Sequence, residues 1–366
     1  MKTREIIDYL NSRFIPVYQE SYDNSGFLIG DLDRELSGIL VTIDVTPQVV
    51  DEAIEKHCNL IVSHHPLIFG GLKRITSGNA TGRMVMKLIS EGLSVYSAHT
   101  NLDILREGVN GILAEKLGLT DCSILRPLEG VLRKLVTYVP LQHADKVRQA
   151  LFAAGAGGIG GYDCCSYNSD GHGTFRAGDG THPFCGEIGE IHTEDETRIE
   201  VIYEQRMESA ILSKLRKAHP YEEPAIDCIP LANPLNTVGA GMIGKLAQPV
   251  DAGTFLATVK ETLGLPTIRV SSPHNSKKVI KTVAICGGSG SFLIGDAKRA
   301  NADIYLTADL KYHDFQTAEN DIILADIGHY ESEQFAKELI LRTILEKNCN
   351  FACQISVADK GYFIYI

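Results

Sequence analysis

Short β-branched runs alternate with helical stretches at both ends of this 366-residue chain. GILVTIDVT (38–46), NLIVS (59–63) and SVYSA (94–98) are typical of strands, and amphipathic segments separate or follow them. Near the end of the chain, DIILADI (321–327) is typical of a strand and ESEQFAKELILRTILEKN (331–348) is typical of one long helix. Such alternation is typical of an α/β fold. We therefore predict a mixed, mostly parallel sheet architecture with helices on both faces.

The middle of the chain follows a different order. Six segments between KLVTYVP (134–140) and AIDCIPL (225–231) are arranged as strand, helix, strand, strand, helix and strand. This is the order of a ferredoxin-like α+β unit, and prolines mark both joints. We therefore predict an inserted ferredoxin-like domain over residues 127–235, with residues 1–126 and 236–366 forming two halves of one α/β domain.

Charge and cysteine content narrow the function classes. The chain has 35 basic and 46 acidic residues, and a net charge of −11 disfavours nucleic acid and anionic lipid as partners. The start lacks a secretory apolar core and no later run is apolar for long enough to span a bilayer, so we expect a cytoplasmic protein without membrane contact. The nine cysteines, Cys349 included, show no CxxC spacing, which favours reduced, mostly buried thiols.

Histidines and carboxylates follow three of the predicted strands. His64 and His65 follow the second strand, Asp103 lies just past the third, and His329 and Glu333 follow DIILADI. A lone histidine at a strand end is usually a hydrogen-bonded structural residue, but three such strand ends favour a ligand site.

The types and spacing of these residues favour two metal ions. Adjacent residues in extended chain point to opposite sides, so His64 and His65 suit two ions better than one. Imidazoles with carboxylates suit zinc, ferrous iron or manganese rather than calcium. A carboxylate such as Glu333 can bridge ions about 3.5–4 Å apart.

The motifs SHHPLIF, HTNLD and DIGHYESE, together with YDNSGFLIG (22–30) and DLKYHD (309–314), resemble the GTP cyclohydrolase 1 type 2 homolog family of two-metal proteins. The middle segment is similar to the PII- or CutA-like insert of longer members. The resemblance implies two divalent ions per chain, with zinc expected first and iron or manganese as alternatives. It implies that His65 and Asp103 hold one ion, that His64 and His329 hold the other, and that Glu333 is shared.

Further candidates come from the same motifs. His99 and His313 match family positions near the centre, where we expect them to orient ligands rather than bind metal. Asn24 and Ser289 are candidates for supporting the ligands or contacting substrate, and no residue is assigned a catalytic role. The resemblance also implies a ring-shaped homohexamer.

Hydrolysis is the reaction that the predicted centre favours, because two divalent ions convert water to hydroxide near neutral pH. The resemblance implies that a metal-bridged hydroxide attacks a nucleotide or related heterocycle, such as GTP. The alternative is a non-catalytic metal-binding regulatory or scaffold protein whose insert binds a ligand or partner. The glycine-rich run 284–300 offers amides to a phosphate, although geometry more often explains such glycines. HPYEEPAIDC (219–228) favours a solvated turn over a binding site.

Overall fold

The computed structural model describes residues 1–272, 277–319, 321–347 and 350–362. The chain forms two compact units, one made of Met1–Pro127 with Asn236–Ile366 and the other of Leu128–Leu235. Cys349 and the last position of the helix that we predicted over residues 331–348 lie outside the described residues.

The helices and strands of the first half of the larger unit follow one another in α/β order. Their bounds are α1 Thr3–Arg13, β1 Gly26–Ile29, β2 Gly38–Thr42, α2 Pro47–Glu55, β3 Leu60–Ser63, α3 Ala80–Ser90, β4 Ser94–Ser97, α4 Thr100–Asp103, α5 Val109–Lys116 and β5 Leu119–Leu128. Local chemistry fixes the start of α2, where the Thr46 hydroxyl accepts a hydrogen bond from the Val49 amide and Pro47 occupies the first turn.

The smaller unit contains four strands and two helices. Their bounds are β6 Leu132–Pro140, α6 Ala144–Ala153, β7 Tyr167–Arg176, β8 Ile191–Glu204, α7 Glu208–Ala218 and β9 Ile226–Pro230. All neighbouring strands are antiparallel, in the order β7-β8-β6-β9. Both helices pack on this sheet through a core that includes Leu135, Val147 and Ile211. The ferredoxin-like topology is therefore confirmed.

The second half of the larger unit returns to alternating strands and helices. The bounds are β10 Leu235–Asp251, α8 Ala252–Leu263, β11 Arg269–Val270, β12 Val279–Ser289, α9 Ile294–Arg299, β13 Ile304–Ala308, α10 Tyr312–Gln316, β14 Ile323–Asp326, α11 His329–Glu333, α12 Ala336–Glu346 and β15 Ala352–Ile355. No helix in the described ranges has the length and apolar character needed to cross a membrane.

Two sheets organise the larger unit. The five-stranded sheet has the order β1-β4-β3-β2-β15, in which β1 is antiparallel to β4 and the other pairs are parallel. The six-stranded sheet has the order β11-β14-β13-β12-β10-β5, with β12, β13 and β14 parallel. Register brings Thr42, Ser63 and Ser97 side by side, so the segments after β2, β3 and β4 leave the sheet at one edge.

Alternating residues of the five-stranded sheet pack against helices on opposite faces. Val41 belongs to a buried core with Ile6 of α1 and Ile340 of α12. Its neighbour Leu40 belongs to a separate core with Leu88 of α3. Successive strand residues point to opposite faces, so this sheet is covered on both sides.

The six-stranded sheet is covered in the same way. Ile285 packs in a core with Phe255 of α8, whereas its neighbour Ala284 packs with Ala297 of α9. The predicted fold class, mixed sheets with helices on both faces and a ferredoxin-like insert, is therefore confirmed.

Three local expectations are wrong. The continuous helix predicted over 331–348 is interrupted between α11 and α12, where the Gln334 side chain donates to the carbonyls of Glu331 and Leu263 and so competes for a helical acceptor. The solvated turn expected over 219–228 holds for Glu222 and Glu223, which are exposed, but not for His219, which is buried and whose Nε2 donates to the Tyr138 carbonyl at 2.9 Å.

The third wrong expectation is that most of the cysteine thiols are buried. Among the described residues Cys58 and Cys286 are buried, but Cys164 and Cys228 are exposed and the other four cysteines are half-buried. Four of these eight thiols lie in the insert, on connections or on β9 at the edge of its sheet, where the core does not cover them.

Candidate metal centre

The adjacent histidines are held by the sheet that precedes them. The amide of His64 donates to the Thr42 carbonyl at 3.0 Å, and the amide of His65 donates to the Ile43 carbonyl at 2.9 Å. These bonds extend the parallel ladder past the end of β3. The His64 side chain is fully buried, whereas His65 remains partly accessible. Their rings lie 5.0 Å apart and are tilted by 37°, so both imidazoles reach one site.

Four imidazoles, three that follow β3 or β4 and one that follows β14, each donate their Nδ1 hydrogen to an oxygen acceptor. The bonds join His64 to the Ala98 carbonyl at 2.7 Å, His65 to Asp44 at 2.9 Å, His99 to Asp23 at 2.8 Å and His329 to Asp309 at 2.7 Å. Such bonds fix the ring orientation and the tautomer that carries its lone pair on Nε2. They are typical of histidines prepared to bind a metal.

Glu333 lies at the centre of a cluster that it forms with His64, His65, Asp103 and His329. Its Oε2 is 2.9 Å from His65 Nε2, 3.2 Å from His329 Nε2 and 3.8 Å from His64 Nε2. The carboxylate is almost fully buried. Gly288 has a φ of +63°, and a Cβ at that position would lie 2.2 Å from Glu333 Oε1. A side chain at this position would therefore displace the carboxylate.

Two donor groups share Glu333. One consists of His64, Asp103 and Glu333, and the other of His65, His329 and Glu333, with the potential ligand atoms of each group within 4.8 Å of one another. The pairing differs from the one implied by the family resemblance, which exchanges His64 and His65. In the described part of the chain, His64 Nε2 and Asp103 Oδ1 are buried, 3.5 Å apart, and make no hydrogen bond.

The imidazoles facing Glu333 hold protons tightly. Burial alone would lower the pKa of His65, but its hydrogen bonds with Asp44 and Glu333 raise that pKa to about 10. At His329, hydrogen bonds with Glu333 and Asp309 likewise outweigh burial and raise the pKa to about 9. Without a metal, positive imidazolium charge therefore balances the carboxylates at neutral pH.

The pKa values of Asp103 and Glu333 are shifted in opposite directions. Burial raises the pKa of Asp103 to about 7, with nearby His64 opposing the shift and Glu333 adding to it. Burial also acts to raise the pKa of Glu333, but hydrogen bonds from His329 and His65 hold it well below its usual range. Glu333 therefore carries a negative charge at neutral pH, which favours binding of a cation.

A model of the Duf34/NIF3 (NGG1p interacting factor 3) family matches residues 1–360 of the chain. The chain belongs to this family. A relative from Halalkalibacterium halodurans, named GTP cyclohydrolase 1 type 2 homolog, is 42% identical over 349 residues, covering 94% of this chain and 93% of the relative. A protein of the same name from Bacillus subtilis is 39% identical over 359 residues, covering 96% and 94%. The resemblance noted in the sequence is therefore confirmed.

A solved structure shares the whole architecture of this Duf34/NIF3 chain. It is described as a Bacillus cereus protein related to NIF3, and it is 35% identical in sequence with a TM-score of 0.85. The match covers 100% of this chain and 99% of that one. The fold of each unit thus occurs in a protein that is described as related to NIF3.

A cavity of about 420 Å³ adjoins the cluster of this Duf34/NIF3 protein. Its walls include His65, Asp103 and Glu333 on the polar side and Tyr22 and Phe69 on the aromatic side. The Tyr22 and Phe69 rings are stacked with centroids 6.3 Å apart. A small molecule in this cavity would touch both the donor atoms and a flat apolar wall.

The remaining candidates fall at different places. His99 lines the cavity, and the bond from its ring to Asp23 is one part of a network that includes the Thr100 amide. Ser289 also lines the cavity, whereas the Asn24 side chain donates to the Ile68 carbonyl at 2.6 Å. His313 lies outside the cluster.

His313 and the glycine-rich run have local roles. His313 is exposed on α10, and its Nδ1 donates to Gln316 at 3.0 Å. The amides of Gly287 and Gly288 donate to Asn110 and to the Ser332 hydroxyl, both at 2.9 Å. These two amides are therefore engaged and not free to receive a phosphate.

Sequence reasoning missed the aspartates that orient the histidines. Asp44 and Asp309 come just after β2 and β13, and Asp23 lies inside the quoted YDNSG motif. Each was visible as an acidic residue at a strand end or in a family motif. Their pairing with particular histidines depends on which strands are neighbours within each sheet, which spacing along the chain does not reveal.

Proposed function

We propose that this protein is a hydrolase that uses two divalent metal ions. The observation that carries the proposal is the pair of buried, unpartnered atoms His64 Nε2 and Asp103 Oδ1. Burying such atoms is unfavourable unless they gain a partner, and a shared cation would satisfy both. Imidazole and carboxylate donors suit zinc, which we expect first, with iron or manganese as alternatives.

The grouping of donor atoms supports a shared ligand. We propose that one ion binds His64, Asp103 and Glu333 and that the other binds His65, His329 and Glu333, following the two groups of atoms. Glu333 would belong to both, because its Oε2 is close to imidazoles of both groups. Each group supplies three protein ligands, which leaves room for water or substrate.

Two divalent ions, when bound, supply a water nucleophile at neutral pH and polarise the substrate atom that it attacks. Residues of the chain orient the metal ligands. Asp44 and Asp309 hold the rings of His65 and His329, so little reorganisation is needed when their protons leave. The nearly complete burial of Glu333 keeps bulk water away from that side of the site.

The shape of the cavity supports a flat heterocyclic substrate. Tyr22, Phe69 and Phe292 line it, and aromatic rings stack on planar bases. We propose a nucleotide or a related heterocycle, with GTP as the first compound to test because of the names of the two relatives. One water would open the guanine imidazole ring at C8 to give a formamide, and a second water would cleave that formamide to release formate.

Turnover of GTP tests the proposal. Metal-loaded protein should release formate and yield a fluorescent pterin after oxidation, at a rate that follows metal occupancy. Asp103→Asn should abolish turnover with the fold intact, while Glu107→Gln, a change on the exposed surface one turn away, should leave it unchanged. Equal formate release in wild type and Asp103→Asn would identify a contaminant and overturn the proposal.

Absence of turnover would favour the second candidate. If neither GTP nor a panel of phosphoesters is consumed at any metal loading, the protein would instead be a metal-binding regulatory or scaffold protein. A cavity of about 650 Å³ in the insert, lined by Phe175, Phe184 and Tyr221, gives that alternative a place for a ligand.

We further propose the ring-shaped homohexamer implied by the family resemblance. Light scattering coupled to size-exclusion chromatography would measure its mass directly. A monomer of 40.0 kDa at micromolar concentration would contradict it.

A further inference from the structure

A second group of metal-binding side chains lies in the ferredoxin-like insert. His192 and Glu194 are two residues apart on β8 and therefore point to the same face of the strand. Their side chains meet, with His192 Nε2 2.8 Å from Glu194 Oε2. Cys185, in the connection before β8, completes the group, and the three potential ligand atoms all lie within 4.8 Å of one another.

The connection before β8 packs closely against His192. Gly186 has a φ of +79°, and a Cβ there would lie 2.8 Å from the His192 Cβ. On the neighbouring strand Phe175 is directly opposite His192, and the two rings are 5.4 Å apart. The imidazole is therefore held between a glycine turn and an aromatic ring, which limits the positions of its Nε2.

The thiol is also held in place. Cys185 lies beside Tyr221 and Glu194, and the Tyr221 hydroxyl donates to Glu196 at 2.7 Å. Burial is the largest cause that raises the pKa of Cys185, so the thiol carries its proton when no cation is bound. Metal binding displaces such a proton, because the thiolate is the ligand.

We infer that Cys185, His192 and Glu194 form a binding site for a thiophilic divalent ion such as zinc. Sulfur, imidazole and carboxylate are all zinc ligands, and a thiolate disfavours magnesium and calcium. Three protein ligands leave a fourth position for water or another molecule. All three ligands partly face solvent, so an ion can reach them.

This site differs chemically from the candidate centre of the larger unit. That centre offers nitrogen and oxygen donors, and its described donor groups contain no sulfur. The insert site contains one sulfur ligand. Cobalt(II) therefore distinguishes the two, since only a thiolate ligand produces a sulfur-to-cobalt charge-transfer band in the near ultraviolet.

Cobalt titration of the full-length, chelator-treated chain tests the inference. Wild type should develop the charge-transfer band with an amplitude corresponding to one cobalt per chain, and Cys185→Ser should lose it. His192→Ala and Glu194→Gln should each weaken the cobalt affinity of this site by at least about tenfold. Even mutation of a residue that only hydrogen-bonds to a metal ligand lowers metal affinity by about that factor. Cys165→Ser and Cys286→Ser should retain the band.

Alkylation provides a second measurement that needs no variant. Zinc, but not magnesium, should slow the reaction of Cys185 with iodoacetamide, as measured by mass spectrometry of the digested chain, while the exposed Cys164 serves as the internal control. A wild type without the charge-transfer band, a band that survives Cys185→Ser, or zinc that leaves Cys185 alkylation unchanged would overturn the inference.

Discussion

His65 Nε2 lies 2.9 Å from Glu333 Oε2, although 268 positions separate the two residues along the chain. The insert, residues 128–235, lies between them in sequence. The contact is therefore made by two chain segments that fold into one unit, and it joins the end of β3 to the single turn of α11.

Loss of the shared carboxylate should affect both proposed ions. We expect Glu333→Gln to reduce bound metal from two ions per chain towards none, because this residue belongs to both donor groups. His64→Ala removes a member of one group and should retain one ion. Elemental analysis of the purified proteins measures both contents. A Glu333→Gln protein that kept two ions would contradict the shared-ligand model.

Metal affinity should increase with pH. His65 and His329 have pKa values raised to about 10 and about 9, so both are protonated at neutral pH in the metal-free protein. A cation must displace those protons, and this competition weakens as pH rises. Calorimetry in buffers of different ionisation enthalpy should show proton release on zinc binding, and affinity should rise from about pH 6 to about pH 8. Affinity independent of pH would contradict this.

Gly288→Ala should weaken metal binding by displacing Glu333. The new Cβ would lie 2.2 Å from Glu333 Oε1, and the φ of +63° adds strain of about 1 kcal/mol. Gly118→Ala is a matched control, because its φ is +68° but no described atom lies within 4 Å of the new Cβ. Both variants should unfold at lower temperature, and only Gly288→Ala should lose metal. Equal metal content in the two proteins would show that Glu333 accommodates the methyl group.

A buried carboxylate away from the metal centre should control stability in acid. Glu52 on α2 accepts hydrogen bonds from the Ser356 hydroxyl at 2.5 Å and from the Val357 and Ala358 amides, both at 3.0 Å. Glu52→Gln should lower the free energy of unfolding by about 2 kcal/mol, because these are bonds to a charged group. The control Glu55→Gln changes an exposed residue of the same helix.

The pH dependence of this effect has a definite sign. Burial opposes ionisation of Glu52, but its hydrogen bonds, beginning with Lys56, lower its pKa from 4.5 to about 2. The stabilisation is complete above the unfolded pKa of 4.5 and is lost as pH falls towards 2. Urea unfolding across that range should show wild type and Glu52→Gln converging in acid. A constant difference down to the lowest pH would contradict the assignment.

Removal of the insert should leave the candidate centre intact. The flanking strands β5 and β10 are neighbours in the six-stranded sheet, and a Cβ on Gly239 would lie 2.3 Å from the Arg126 carbonyl oxygen. A short flexible linker can therefore replace residues 128–235. None of the five proposed ligands lies in that span, so the shortened protein should bind the same metal content. A folded deletion variant without metal would show that the insert contributes to the site.

Much of the site was predictable because its histidines follow strand ends, although β3 belongs to the five-stranded sheet and β14 to the six-stranded sheet. His64 and His65 lie at the end of β3 and His329 lies just past β14, and both positions were read correctly from strand ends. The aspartates that hold the rings were not predicted, because each pairs with a histidine from a different chain segment. The break before α12 also escaped prediction, since it depends on a hydrogen bond from Gln334 to the distant Leu263 carbonyl.

The pairing of β15 with β2 has a consequence for the growing polypeptide. One edge of β2 is covered by residues 352–355, which are synthesised after the other four strands of that sheet. Until then a nascent chain presents the backbone amides and carbonyls of that edge to its surroundings, and open strand edges readily pair with other polypeptides. Chains truncated between β14 and β15 would therefore be prone to aggregate through β2.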